Sequence, residues 1–298
     1  MAETLNHLNY LNLAGYILNS FITFFAASIL HLTDISPQSA SYQTLINPAP
    51  YAFSIWGIIF LSQGIYTAAQ MHPSFRKNEL VQDGVKYWYF VTCVMQSSWV
   101  FIALGTQQYV LSTLAMIGIL IGLIQLLESQ YKLQLHPSVS VSIKEFWLFQ
   151  FPFEIHCGWI YAATAITLNS CVIRIGAGAE LQYLMALLTI AMFIFIPLRC
   201  LQRHPKPNYT IPLVLAWAAH GIFQELTDPK DTIVETFSEM EIYIVQIFAR
   251  MLCVGILLGV MVSIIRNRVM KEMWRLGYSE EQERLRGANA APMETYLA

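Results

Sequence analysis

The chain has 298 residues, 56% of them hydrophobic and only 12% charged, with a formal net charge of −2 and a mean hydropathy of +0.49. Ordinary soluble domains carry about 25% charged residues, so this composition excludes a soluble globular protein and defines an integral membrane protein. No basic block points to nucleic acid, and no nucleic-acid partner is expected.

Apolar segments of membrane-spanning length, roughly 17 to 25 residues, recur eight times. In chain order they cover 11–32, 50–71, 87–104, 109–127, 146–170, 181–199, 210–225 and 241–265. The expected fold is therefore all-α, a polytopic bundle of about eight transmembrane helices. The seventh is the shortest, and Pro212, His220 and Gln224 leave it open as a full span or a partly interfacial helix. Lys and Arg segregate sharply between the loops. With eight spans, one side holds 14 of the 17, in 72–86, 128–145, 199–209 and the tail from Arg266. The other holds Arg174 and Lys230, and Arg250 lies inside the last span. Such a bias predicts both termini on the cytoplasmic side. Cys93, Cys157 and Cys253 fall within spans and Cys171 and Cys200 at opposite ends of the sixth, so structural disulfides are not expected. The tail from 266 to 298 is read as a helical extension, either solvated or lying on the membrane surface with Trp274 as its anchor.

The second span opens on "NPAPYAFSIWGIIF". Proline is tolerated at a helix entrance because the first amides need no intrahelical acceptor, so Phe53 and Trp56 fall in the opening turns. Small residues four apart, Gly118 with Gly122 and Gly255 with Gly259, permit close approach of helices. The fifth span is the richest in polar groups, with Gln150, Glu154, His156 and Asn169 around Pro152, which is expected to kink it. Intramembrane polar groups are costly and call for a partner or a purpose. Arg250 and Glu154, the two full charges within spans, are expected at comparable depth, as an ion pair. Trp56, Trp99 and Trp159 lie deep in their spans and are either packing residues or the walls of a flat apolar pocket. Trp88 and Trp147, near span ends, read as interface anchors. No catalytic constellation, phosphate loop or metal spacing is present, so neither enzyme activity nor a metal site is expected.

Three stretches in order, "PAPYAFSIWGIIFLSQGIYTAAQ", "CVMQSSWVFIAL" and "FEIHCGWIYAATAITLN", resemble the second, third and fifth helices of the tryptophan-rich sensory protein or translocator protein family (TspO). Pro48, Pro50, Phe53 and Trp56 fit the first family motif, with Phe60 replacing its Tyr. Trp99 fits the second, with Gln96 in place of Asn and Val100 in place of Ser. Trp159, Ala163 and Asn169 fit the third. The resemblance covers roughly residues 10 to 170 and divides the chain into a TspO-like five-helix bundle (1–170), three additional helices (171–265) and the tail (266–298). It implies a pocket for tetrapyrroles, haem or protoporphyrin, or for sterols, capped by the loop from Asp34 to Pro50. Phe53, Trp56, Gln96, Trp99, Trp159 and Asn169 would line it, with His156 a polar contact. The expected partners are membrane lipids, a hydrophobic small molecule and either a second copy or a larger membrane complex. Two rival readings are an accessory subunit of such a complex and a proton-coupled transporter using Glu154, His156, His220 and Arg250. A water-accessible cavity reaching Glu154 would favour the transporter.

Overall fold

The computed structural model describes residues 5–26, 43–105, 108–136, 139–204 and 206–289, with the side chains of 104, 105 and 274–289 outside the description. The positions 34–42 of the expected capping loop and the Trp274 side chain therefore lie outside the described residues. Eight long helices follow the eight hydropathy maxima: α1 (His7–Phe21, continued by a π-helical turn Ile22–Ala26), α2 (Ile55–Ala69), α3 (Trp88–Gly105), α4 (Tyr109–Gln134), α5 (Phe151–Arg174), α6 (Ala179–Leu201), α7 (Thr210–Glu225) and α8 (Glu239–Asn289). Among the described residues there is no strand.

Four of these stretches are long and apolar enough to cross a membrane on length and composition: Pro50–Ala69, Tyr109–Gln134, Ala179–Leu201 and Glu239–Met273. The others are shorter or more polar; α7 has only 16 residues. Helix ends depart from the hydropathy spans where polar groups find partners. α1 begins at His7 because Asn6 and Asn9 cap each other, each side chain accepting the other's backbone N–H at 3.2 Å. α4 runs seven residues past the expected end because Glu128, Gln130 and Tyr131 are engaged by neighbouring segments. α8 continues as one helix of 51 residues into the sequence read as tail, as far as Asn289.

The chain passes up and down, so that the basic loops meet at one end. His7 contacts the Tyr87 hydroxyl at 2.7 Å, and Asn78 donates to Glu145 at 2.7 Å. Arg203 pairs with Glu128, the Tyr131 hydroxyl donates to the His204 carbonyl, and Asn267 donates to the Tyr209 hydroxyl at 2.7 Å. At the opposite end the Arg174 guanidinium covers the Tyr109 ring at 3.6 Å.

Two large core clusters fill the bundle, with a small third of Ile22 and Val100 beside them. The larger runs from Leu45 to Val260 and draws on α2 and on α4 to α8, so the last three helices share their interior with the earlier ones. The smaller, near the basic end, gathers Tyr66, Tyr89, Phe149 and Phe153. Close approach is set by glycine at two junctions. A methyl at Gly158 would stand 2.8 Å from Val214 Cβ, which fixes the α5–α7 contact, and one at Gly122 would stand 2.7 Å from Thr92 Oγ1, between α3 and α4. The Gly118/Gly122 stripe is thus used for internal packing.

Candidate functional site

The prolines of the second span place its aromatics. Ahead of α2, Pro50–Ser54 forms a 3₁₀ turn, and the strand of backbone before it is fastened to α7. Ala49 N–H donates to the Gly221 carbonyl at 2.9 Å, and the Trp217 indole N–H donates to the Ala52 carbonyl at 3.0 Å. A methyl at Gly221 would meet Pro48 Cβ at 2.8 Å, so no side chain is tolerated there without a shift. This anchorage aims Phe53 and Trp56 inward. Trp56, Phe60 and Gln63 then follow at helical spacing on one face of α2.

Opposite them, α5 presents His156 and Trp159, three residues apart. An irregular start sets their position. Ser142 and Glu145 form a capping box, a π-helical stretch follows over Phe146–Gln150, and Pro152 comes in the first turn of α5. The expected disruption at Pro152 is this π stretch, where the Gln130 side chain donates to the Phe149 carbonyl at 2.6 Å. Trp159 is fully buried. Its ring meets Phe53 edge-on with centroids 5.5 Å apart and Trp56 at 6.5 Å. Trp56 is half-buried and lies 5.7 Å from the His156 ring and 6.0 Å from Phe60.

A buried polar relay underlies these rings. The Tyr89 hydroxyl donates to Gln63 Oε1 at 3.3 Å, and Gln63 Nε2 lies 2.8 Å from His156 Nδ1. The three side chains thus form one buried chain of polar contacts, Tyr89–Gln63–His156, across three helices. The other ring nitrogen, His156 Nε2, has no hydrogen-bond partner, nor have the indole N–H groups of Trp159 and Trp99 or Gln96 Oε1, although all four atoms are buried. Buried polar groups are almost always paired, and leaving one unpaired costs about 1–3 kcal/mol. The Trp159 indole N–H is thus a buried donor beside the Phe53 and Trp56 rings that no acceptor of the chain meets.

The expected site residues thus separate into groups. Phe53, Trp56, His156 and Trp159 come together, joined by Phe60 and Gln63. Gln96 and Trp99 sit on α3, where Trp99 packs on Ile22 and Val100 as well as on the main core. Asn169 lies apart, ten residues or about 15 Å along α5 from Trp159. Its side-chain amide donates to the Ala165 carbonyl at 2.9 Å and to Thr189 at 3.0 Å, a contact between α5 and α6. Gln63 was missed from the sequence; the available signal was a lone amide on the Trp56 face of an apolar helix.

The expected Glu154–Arg250 ion pair does not form. Glu154 accepts the Thr210 hydroxyl at 2.6 Å, at the start of α7. Arg250 is exposed, with its guanidinium 5.2 Å from the Phe223 ring near the end of α7. The 13 residues between those two partners put the charges about 20 Å apart along the helix. Their depths were misjudged because α5 and α8 enter the bundle from opposite ends. His220 likewise stands away from the relay, stacked on Phe223 at 6.2 Å. Glu154 instead lines a cavity of about 890 Å³ at the basic end, together with Gln130, Arg203, Lys206 and Lys271. Among the described residues no cluster of metal-ligating side chains occurs.

Helix content, apolar spans and a tryptophan-lined interior define an integral membrane protein of the multi-helix bundle class. Residues 9–262 match the family model described as TSPO-like protein, and the chain belongs to that family. The match runs into α8, beyond the five helices that carry the sequence resemblance. No curated protein and no solved structure matches the chain.

Proposed function

We infer that this protein binds a flat hydrophobic small molecule, tetrapyrrole or sterol-like, against Phe53, Trp56, His156 and Trp159, and acts as a sensor or carrier without catalysis. The observation that carries this reading is the Trp159 indole N–H, buried without an acceptor beside the Phe53 and Trp56 rings, with the unpartnered His156 Nε2 close by. A ligand with carboxylate, carbonyl or hydroxyl oxygens would satisfy them, and its rings would lie against the indoles. Gln96 Oε1 is the complementary acceptor. In this reading residues 1–170 supply the ligand-binding bundle, 171–265 brace it, and both termini face the cytoplasm.

The test is a titration of the gently solubilised protein with protoporphyrin, following tryptophan fluorescence. Saturable quenching that weakens in Trp56→Ala supports the reading; unsaturable quenching, or quenching identical in the variant, refutes it.

A second reading, proton-coupled transport, is favoured by one observation: the basic-end cavity reaches Glu154. His156, His220 and Arg250 do not join Glu154 in a chain of contacts, so the coupling would rest on Glu154 alone. Protein reconstituted in vesicles with a trapped pH dye should then move protons in the parent and not in Glu154→Gln; equal flux in the two would dispose of it.

A further inference from the structure

The 890 Å³ cavity is separate from the aromatic site, and its walls have their own polarity. It lies between the last turns of α4, the opening of α5, the segment 203–209 and residues 267–271 of α8. Its volume is within the range of about 300–1,000 Å³ typical of small-molecule sites. Lys206 and Lys271 are exposed at its mouth. Neither has an ion-pair or hydrogen-bond partner among the described residues. Burial and the charge of Lys271 hold the Lys206 ammonium below its ordinary value, as expected of two like charges with no anion between them. The third cation, Arg203, is already engaged by Glu128 and the Tyr131 ring.

The floor carries an acceptor instead. Glu154 accepts the Thr210 hydroxyl through Oε2, which leaves Oε1 for a second donor. Leu127, Phe146 and Met270 give the sides an apolar character. A soluble phosphate would neutralise the lysines and leave both the floor and the sides unmatched. A diacyl phospholipid carries no hydrogen-bond donor beneath its phosphate. A single-chain amphiphile with a phosphate and an adjacent free hydroxyl matches all three regions.

We propose that this cavity binds a single-chain lysophospholipid with a terminal phosphate. The phosphate bridges Lys206 and Lys271, the free glycerol hydroxyl donates to the Glu154 carboxyl, and the acyl chain follows Leu127, Phe146 and Met270. The Glu154 carboxyl sets the orientation by accepting the hydroxyl at the floor.

The full-length protein in neutral-lipid nanodiscs is titrated with 1-oleoyl lysophosphatidic acid. Lysophosphatidylcholine, dioleoyl phosphatidic acid and glycerol 3-phosphate serve as comparators. Each lysine near a membrane surface contributes about five-fold to binding an anionic lipid, so Lys206→Gln with Lys271→Gln should weaken binding about 25-fold. Both side chains are exposed, so the melting temperature should hold, and the paired Arg substitutions should retain binding. Equal binding by the parent and the double Gln variant overturns the site. Equal affinity for phosphatidic acid overturns the hydroxyl contact, and equal affinity for glycerol phosphate overturns the lipid assignment. Protoporphyrin quenching on the same sample reads the aromatic site separately, so failure of one reading does not imply failure of the other.

Discussion

Trp159→Phe separates a ligand-facing indole from a packing indole, because the two roles predict opposite effects on the apo protein. Trp159 is fully buried between Phe53 and Trp56, and its N–H has no acceptor. Phenylalanine keeps an aromatic ring in place and deletes the orphaned donor, relieving a penalty of about 1–3 kcal/mol. The smaller ring also loses packing, at about 24 cal/mol per Å³ of cavity left behind, on the order of 1 kcal/mol in all. The two effects nearly cancel or leave the variant somewhat more stable. Ligand binding should move the other way: a hydrogen bond from the indole to a charged acceptor is worth about 1.5–3 kcal/mol, so its loss should weaken binding at least about ten-fold. Thermal unfolding of the solubilised apo protein and a protoporphyrin titration read the two quantities. A variant that melts several degrees lower and binds as the parent does would show that the indole is there for packing, and the reasoning would fail.

The half-buried Trp56 should behave differently: Trp56→Ala should weaken binding by the aromatic contact alone, about 0.5–1.5 kcal/mol, with little change in melting temperature. Gly158→Ala should destabilise the α5–α7 packing by about 1–3 kcal/mol, since the added methyl meets Val214 Cβ at 2.8 Å; adding Val214→Ala should restore most of the loss in a melting experiment. At the basic end, burial opposes ionisation of Glu145, but hydrogen bonds from the Ser142 amide and hydroxyl and from Asn78 hold its carboxyl below the ordinary 4.5. A depressed folded-state pKa contributes stability above 4.5 that is lost as pH falls through the folded value. Melting temperature should therefore drop on acidification through that window, and Glu145→Gln should flatten this part of the profile.

Much of the bundle was legible because hydropathy reports helices directly, and the eight maxima became α1 to α8. The Trp56 and Trp159 neighbourhood was legible through the TspO resemblance; the aromatics alone left packing and a pocket wall both open. The polar relay was not. Gln63 and Tyr89 meet His156 only through the packing of three helices, a long-range relation that periodicity within one helix does not encode. The Glu154–Arg250 expectation failed for a related reason. Counting residues from span ends fixes depth only when helix lengths and entry sides are both known, and the short α7 separates their partners by most of its length. Asn169 matched a motif, yet its amide is engaged by Thr189 on a helix outside the resembling segment.

The central claim is that a ligand supplies acceptors to orphaned indoles, and indole N–H resonances report this directly. The chain has seven tryptophans, and Trp217 is an internal control because its N–H already donates to the Ala52 carbonyl at 3.0 Å. With ¹⁵N-tryptophan-labelled protein and protoporphyrin, the account predicts downfield shifts of the Trp159 and Trp99 indole protons, and a Trp217 signal that stays in place. Saturation of the ligand with Trp159 and Trp99 unmoved, or with the largest shift on Trp217, would contradict it.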